Sequence, residues 1–110
     1  MTARFCAAVM AFNLAVAAYA GEAHAAYPEQ PIKIVVPFTP GGATDAVARL
    51  LANKLSGSLG QSVIVENRPG ASTVIGADAV ARAQPDGYTL LLSGSTTYTV
   101  LPALKSSLPY

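Results

Sequence analysis

Ile32-Lys33-Ile34-Val35-Val36 is a nearly unbroken β-branched run held between Pro31 and Pro37, and it predicts a short buried strand. From Thr44 the period lengthens to that of a helix. Val47, Leu50, Leu51, Leu55 and Leu59 fall on one stripe, with Asp45, Arg49, Asn53 and Ser56 on the other side. The large apolar stripe is therefore expected to face inward, with Thr44 as N-cap, Asp45 in the first turn, and Ser56-Gly57 fraying an end closed by Gly60. Val63-Ile64-Val65-Glu66 predicts a second strand, followed by the loop Asn67-Arg68-Pro69-Gly70. A second helix is expected from Ser72 or Thr73 to Ala83, with Ile75, Ala79, Val80 and Ala83 inward and with Gly76 and Ala77 small enough for close packing on a sheet. Pro85-Asp86-Gly87 is a turn, Tyr88 to Leu92 a third strand, and Ser93-Gly94-Ser95-Thr96-Thr97 a hydroxyl-rich loop.

Alternation of near-continuous apolar strands with helices predicts an α/β fold: a parallel β-α-β-α-β sheet. Three strands do not complete a domain of this type, because the open edge would be poorly protected. The expectation is an N-terminal piece of something longer.

The first 25 residues are different in kind. Ten of them are Ala, Arg4 supplies a positive charge, and Phe5 to Ala20 runs uncharged. Small residues stand at −3 and −1 of two cleavage points, Ala18/Ala20 and Ala23/Ala25. This is the pattern of a secretory signal peptide over 1–25, cut after Ala25, with 26–110 as the exported chain. The run is too short and Ala-rich for a membrane span, which wants about 20 apolar residues. Cys6 precedes the apolar run and so cannot be a lipoprotein acceptor.

Composition then removes most chemistry. Cys6 and His24, the sole Cys and His, both lie in the leader, so residues 26–110 contain neither, and the chain has no Trp. Ser-His-Asp and Cys-His nucleophiles are excluded there, as are thiolate and imidazole metal sites. The acids Glu29, Asp45, Glu66, Asp78 and Asp86 are scattered, and no two share a helix face. No catalytic residue, cofactor or metal site is expected. A net charge of +1 excludes a basic nucleic-acid binder.

The remaining candidate chemistry is at the strand ends. Ligands of open α/β sheets sit beyond the carboxyl ends of the strands, where loops meet helix N-termini. The turn Phe38-Thr39-Pro40-Gly41-Gly42 opens the first helix, and its glycines would let a ligand approach backbone N–H groups and the positive end of the helix dipole. It is neither a P-loop nor a dinucleotide fingerprint, and the same glycines also suit a purely structural turn. The other strand ends carry neutral polar groups: Asn67, Ser72 and Thr73, then Ser93, Ser95, Thr96 and Thr97. Hydroxyls with backbone amides suit reversible capture of a carboxylate. Gly41, Gly42, Ala43 and Thr44 are expected to present N–H groups to it. Asp45 would repel a carboxylate, and is expected to cap the helix or pair with Arg49. Arg68, the cation beside these loops, fits a capping or salt-bridging role.

Tyr27-Pro28-Glu29-Gln30-Pro31-Ile32-Lys33-Ile34-Val35-Val36-Pro37-Phe38 resembles the mature start of the Bug-type receptors, the substrate-binding proteins of tripartite tricarboxylate transporters. Pro40-Gly41-Gly42-Ala43-Thr44-Asp45, Ala48-Arg49, Leu59-Gly60-Gln61, Val65 to Ala71, Ile75-Gly76-Ala77 and Pro85 to Leu90 continue the likeness across 27–110. The resemblance implies lobe 1 of a type II periplasmic binding protein, truncated, which with a second lobe would close over a small carboxylate-bearing solute. It implies delivery to membrane permease subunits, a monomeric receptor and a periplasmic location. The family's ligand-pincer loop, carried over, is Phe38 to Asp45, with Phe38, Thr39, Pro40, Gly41, Gly42, Ala43 and Thr44 as its candidate contacts; the loop after strand three, Ser93 to Thr97, also faces the cleft, with Ser95 and Thr96 as candidates. Ser72-Thr73-Val74 departs from the family's usual Gly-Gly-Asn after Ala71, which stiffens that turn and adds two hydroxyls. Two alternatives stay open: an exported α/β enzyme with catalytic residues beyond Tyr110, and a ligand-sensing receptor for a membrane signalling protein.

Overall fold

The computed structural model describes residues 27–110; the leader at 1–25 and the cleavage points within it lie outside the described residues. Strand β1 (Ile32–Val36) is followed by helix α1 (Ala43–Leu59), strand β2 (Val63–Asn67), a 3-10 turn (Ala71–Thr73), helix α2 (Val74–Ala81) and strand β3 (Thr89–Leu91). A π-helical turn (Thr96–Val100) then leads into a short helix α3 (Leu101–Leu104). Among the described residues no helix is long and apolar enough to cross a membrane.

The sheet is parallel with order β2-β1-β3, so β1 is central. Its register sets Ile32 beside Val63 and Val36 beside Asn67 on one side, and Lys33 beside Thr89 and Val35 beside Leu91 on the other. The ladder with β3 is extended by Lys33 N–H to Tyr88 C=O and Leu92 N–H to Val35 C=O, so the expected 88–92 strand is bonded along its length although its regular part is shorter. A central strand has both faces covered, which is why β1 is almost continuously apolar and why Ile32, Ile34, Val35 and Val36 are buried.

Helix α1 packs by the face opposite to the expected one. Asp45, Ala48 and Ala52 are buried, while Val47 and Leu50 are 57% and 63% exposed. Leu51 and Leu59 are exposed too, and only Leu55 of the stripe is half-buried. The physical reason is distance: Ala48 and Ala52 let the helix backbone approach Ile34 and Val36 closely, forming the core with Phe38, Val63, Val65 and Leu92 packed around it. The N-cap is Gly42 rather than Thr44, with no side-chain cap bond. Gly60 closes the helix as expected, at φ 66° with its N–H on Ser56 C=O. Ser56 does not fray the end; its hydroxyl donates to Ala52 C=O and accepts the N–H of Val63, tying helix to strand.

Helix α2 is shorter than expected at both ends and turns Gly76 and Ala77 inward, while Ile75 is exposed and Ala79, Val80 and Ala83 are only half-buried. Here the small-residue reading holds. A Cβ on Gly76 would lie 2.7 Å from Pro37 Cβ and 2.9 Å from Arg68 O. At the far end of the sheet, Tyr27 donates its hydroxyl to Gly87 C=O and packs at a tilt against the Tyr88 ring, which anchors the lead-in to the Pro85-Asp86-Gly87 turn. Gly87 takes φ 82° there.

Gly76→Ala is expected to destabilise the chain by about 1–3 kcal/mol, since overpacking outweighs the gain of about 1 kcal/mol in helix propensity. A lowered urea midpoint with an unchanged slope would show it; a raised midpoint would mean that α2 does not press on Pro37.

Candidate functional site

Parallel pairing puts the carboxyl ends of all three strands at one edge, so the segments after Val36, Asn67 and Leu91 emerge together. From β1 the chain crosses to β2 on one side and then returns past β1 to β3 on the other. That reversal makes the junction of β1 and β3 the topological switch point, where open α/β sheets leave a crevice. An open depression of about 250 Å³ lies there, lined by Ala43, Thr44 and Val47 at the start of α1 and by Leu92 and Ser93 after β3. A second depression of about 330 Å³ runs along the side of the sheet instead, between Arg49, Ala52, Asn53 and Ser56 of α1 and Val63 and Val65 of β2.

Of the residues expected at the site, Ala43 and Thr44 line the switch-point depression. Thr39, Pro40, Gly41 and Gly42 form the exposed turn that leads to them, and Phe38 is half-buried against the core. Gly41 needs its lack of a side chain, with φ at 89°; Gly42 sits at ordinary extended angles. The first intrahelical bond runs from Ala46 N–H to Gly42 C=O, so the N–H groups that precede it have no partner within the helix. The expectation for Gly41 fails: its N–H donates to Asp45 Oδ2 at 3.0 Å and is not free for a ligand.

Asp45 accepts more hydrogen bonds than any other acid among the described residues. It is 4% exposed. Besides Gly41, its carboxylate accepts from Arg49 Nε at 3.0 Å and from Asn67 Nδ2 at 2.9 Å. The Arg49 bond, then the Gly41 N–H, then the Asn67 amide lower its pKa to about 2, so it is ionised at neutral pH. The expected pairing with Arg49 is observed, and the third-position carboxylate reaches back past the N-cap in the manner of a capping box. Asn67 also donates to Phe38 C=O at 3.2 Å and accepts from Arg49, so the end of β2 holds the turn after β1. Sequence reasoning placed Asn67 only among the polar strand ends. Its signal was its position, directly after the last apolar residue of a strand.

Arg68 takes the salt-bridging role: it pairs with Glu66, which also holds Lys33 at 2.8 Å, and both cations lower the Glu66 pKa, Lys33 more strongly. The loop after β2 is unusual. Ala71, Ser72 and Thr73 all have left-handed φ, at 46°, 55° and 81°. Non-glycine residues sit there at a cost of about 1–3 kcal/mol each. Glycines would take these angles freely. Ser72 is exposed, whereas Thr73 is buried and its hydroxyl is consumed internally. It accepts from Thr97 Oγ1 at 2.7 Å, and Thr97, fully buried, also bonds Ser93. This hydroxyl chain joins the loops after β2 and β3. Ser95 remains exposed and Thr96 half-buried at the start of the π-helical turn, an element the sequence pattern did not predict.

Thr97→Val removes that chain at nearly constant shape and leaves the Thr73 hydroxyl buried without its donor. A loss of about 1–3 kcal/mol in urea unfolding is expected; an unchanged midpoint would mean that the loops after β2 and β3 do not depend on it.

A family model described as the tripartite tricarboxylate transporter family receptor matches residues 47–110. Protein BugT of Bordetella pertussis is 55% identical over 85 residues, which cover 76% of this chain and 26% of BugT. A solved periplasmic transporter superposes with a TM-score of 0.74 at 50% identity, over 77% of this chain and 29% of that one. MatC from Rhodopseudomonas palustris, solved with bound malate, superposes with a TM-score of 0.57 at 45% identity, over 59% of this chain and 22% of its own. The chain spans about a quarter of the length of the curated relatives it matches. With the parallel α/β sheet and the strand-end turn already described, these likenesses establish that the chain belongs to the tripartite tricarboxylate transporter receptor family.

Proposed function

We propose that residues 26–110 form part of the first lobe of a periplasmic receptor that captures a small carboxylate-bearing solute and delivers it to the permease subunits of a tripartite transporter. The observation that carries this reading is the depression at the switch point, which opens beside the N-terminus of α1 and is lined by neutral groups. N–H groups of Gly42, Ala43 and Thr44 would receive one carboxylate there, helped by the helix dipole. The Thr44, Ser95 and Thr96 hydroxyls would take its remaining polar atoms, while Phe38, Thr39, Pro40 and Gly41 shape the jaw and Ser72 approaches from the loop after β2; the Ser93 proton is spent on Thr97. Thr73 contributes by holding that loop.

Asp45 does not spoil such a site, because Arg49 offsets its charge and all its bonding is turned into the turn. The malate bound to MatC supports a dicarboxylate as the ligand class. The opposing wall would come from a second lobe, and the receptor would work as a monomer after cleavage behind Ala25. No step of bond making or breaking is required of the site, in keeping with a receptor rather than an enzyme.

Calorimetric titration with malate, acetate and citrate, against an alkylammonium ion of similar size, tests this reading. One wall leaves the ligand half solvated, so affinity for malate in about the millimolar range is expected from this chain. Gly42→Val should weaken it about tenfold by obstructing the approach to the helix N-terminus. Binding of the cation in preference to the carboxylates, or full affinity in Gly42→Val, would overturn the assignment.

A further inference from the structure

The turn Phe38–Gly42 is held at both ends by side chains that do not line the switch-point depression. At its start, Phe38 C=O accepts from Asn67 Nδ2; near its end, Gly41 N–H donates to Asp45 Oδ2. The two anchors are joined to each other, because the same Asn67 amide also donates to Asp45 Oδ1. Arg49 closes the figure, with Nε on Asp45 Oδ2 and one terminal nitrogen on Asn67 Oδ1 at 3.3 Å. Asp45 and Asn67 thus use both atoms of their polar ends on one another, on Arg49 and on the turn.

Nothing in the core requires this arrangement. Ile34, Val36, Ala48 and Ala52 bury one another without it, and Asn67 is already fixed in the ladder opposite Val36. What it does determine is where the backbone of Gly41 and Gly42 lies, and so the direction of the N–H groups at the start of α1. A turn with a glycine at φ 89° and a second glycine beside it has many conformations open to it. Holding it in one of them removes the ordering cost that a ligand would otherwise meet.

We propose that Asp45 and Asn67 are positioning residues that fix the Phe38–Gly42 turn in a single shape from behind, with Arg49 neutralising the buried carboxylate they share. As a statement about ligand capture this rests on the reading of the turn as the carboxylate jaw. As a statement about the turn it stands on the bonds alone.

The test uses Asn67→Ala in the 110-residue chain, observed by NMR and compared with the unaltered chain. In the unaltered chain the Gly41 amide proton should be protected from exchange. Its shift should stay nearly constant from pH 6 down to pH 3, because Asp45 remains ionised there. Arg49 is the charged group facing that carboxylate; Gly41 and Asn67 supply its neutral donors. In Asn67→Ala the Gly41 amide should exchange about tenfold faster, and its shift should titrate at higher pH, since a donor that held the Asp45 pKa down is gone. A brace serving stability alone would lower the unfolding midpoint and leave malate affinity of the folded protein unchanged.

Malate affinity, read where both proteins are folded, should fall about fivefold or more in Asn67→Ala. If the unaltered chain does not bind malate, the carboxylate jaw fails while the Gly41 measurements still judge the tether. Full malate affinity in a folded Asn67→Ala, or an unchanged Gly41 exchange rate and pH profile, overturns the positioning role. Should Asn67→Ala fail to fold, the unaltered chain decides: a Gly41 amide that exchanges freely, or whose shift titrates in the ordinary carboxyl range, overturns it equally.

Discussion

The structure depends on one strand being paired in parallel on both sides. β1 carries β2 and β3 in the same direction as itself, and each pairing consumes backbone groups that apolar surroundings would not let it leave unbonded. Burial on both faces demands the apolar run from Ile32 to Val36. Parallel direction demands helical crossovers, and it places every strand's carboxyl end at one edge. From these constraints alone, the turn after β1, the strained loop after β2 and the hydroxyl-rich segment after β3 must meet. The meeting of these segments is a consequence of sheet direction before any of their side chains is considered.

Side-chain chemistry then decides how those three segments are held. Two small polar networks do it, one charged and one neutral. Asp45, Asn67 and Arg49 join the first two strand ends, and Thr73, Thr97 and Ser93 join the second and third. Neither leaves a buried polar atom unbonded among the described residues. A half-satisfied network at this edge would cost more than an apolar one, so its completeness is what lets polar groups gather beside the core. The exposed remainder, Thr39 to Ala43 with Ser72 and Ser95, is free of charge.

The sequence pattern made β1 and the existence of α1 legible because each has a strong local signature: a β-branched run between prolines, and apolar residues at helical spacing. It misled on which face of α1 is buried. The stripe of Val47, Leu50 and Leu51 carries the larger apolar side chains, yet Ala48 and Ala52 decide the packing because they permit close approach. Asp45 reads as a surface acid until Asn67, 22 positions further on, is brought beside it. The left-handed turn at 71–73 and the π-helical turn at 96–100 were illegible for the same reason. Thr73 and Thr97 stabilise them through a contact across 24 positions, which no local period encodes. The strand-end turn was legible as a candidate site because its glycines stand where topology puts ligands in open α/β sheets; that the Gly41 N–H is spent on Asp45 was not.

In the proposed receptor a carboxylate is received at the switch point by backbone groups and not by the chain's cations. The two depressions separate these possibilities cleanly, since the one beside α1 and β2 is lined by Arg49 and the one at the switch point has no charged group in its lining. The most direct measurement is a crystal structure of the chain with malate bound. A malate carboxylate oxygen is expected within hydrogen-bonding distance of the Gly42 to Thr44 amides, with Ser93 nearby. Malate seated against Arg49 in the groove between α1 and β2 would contradict it.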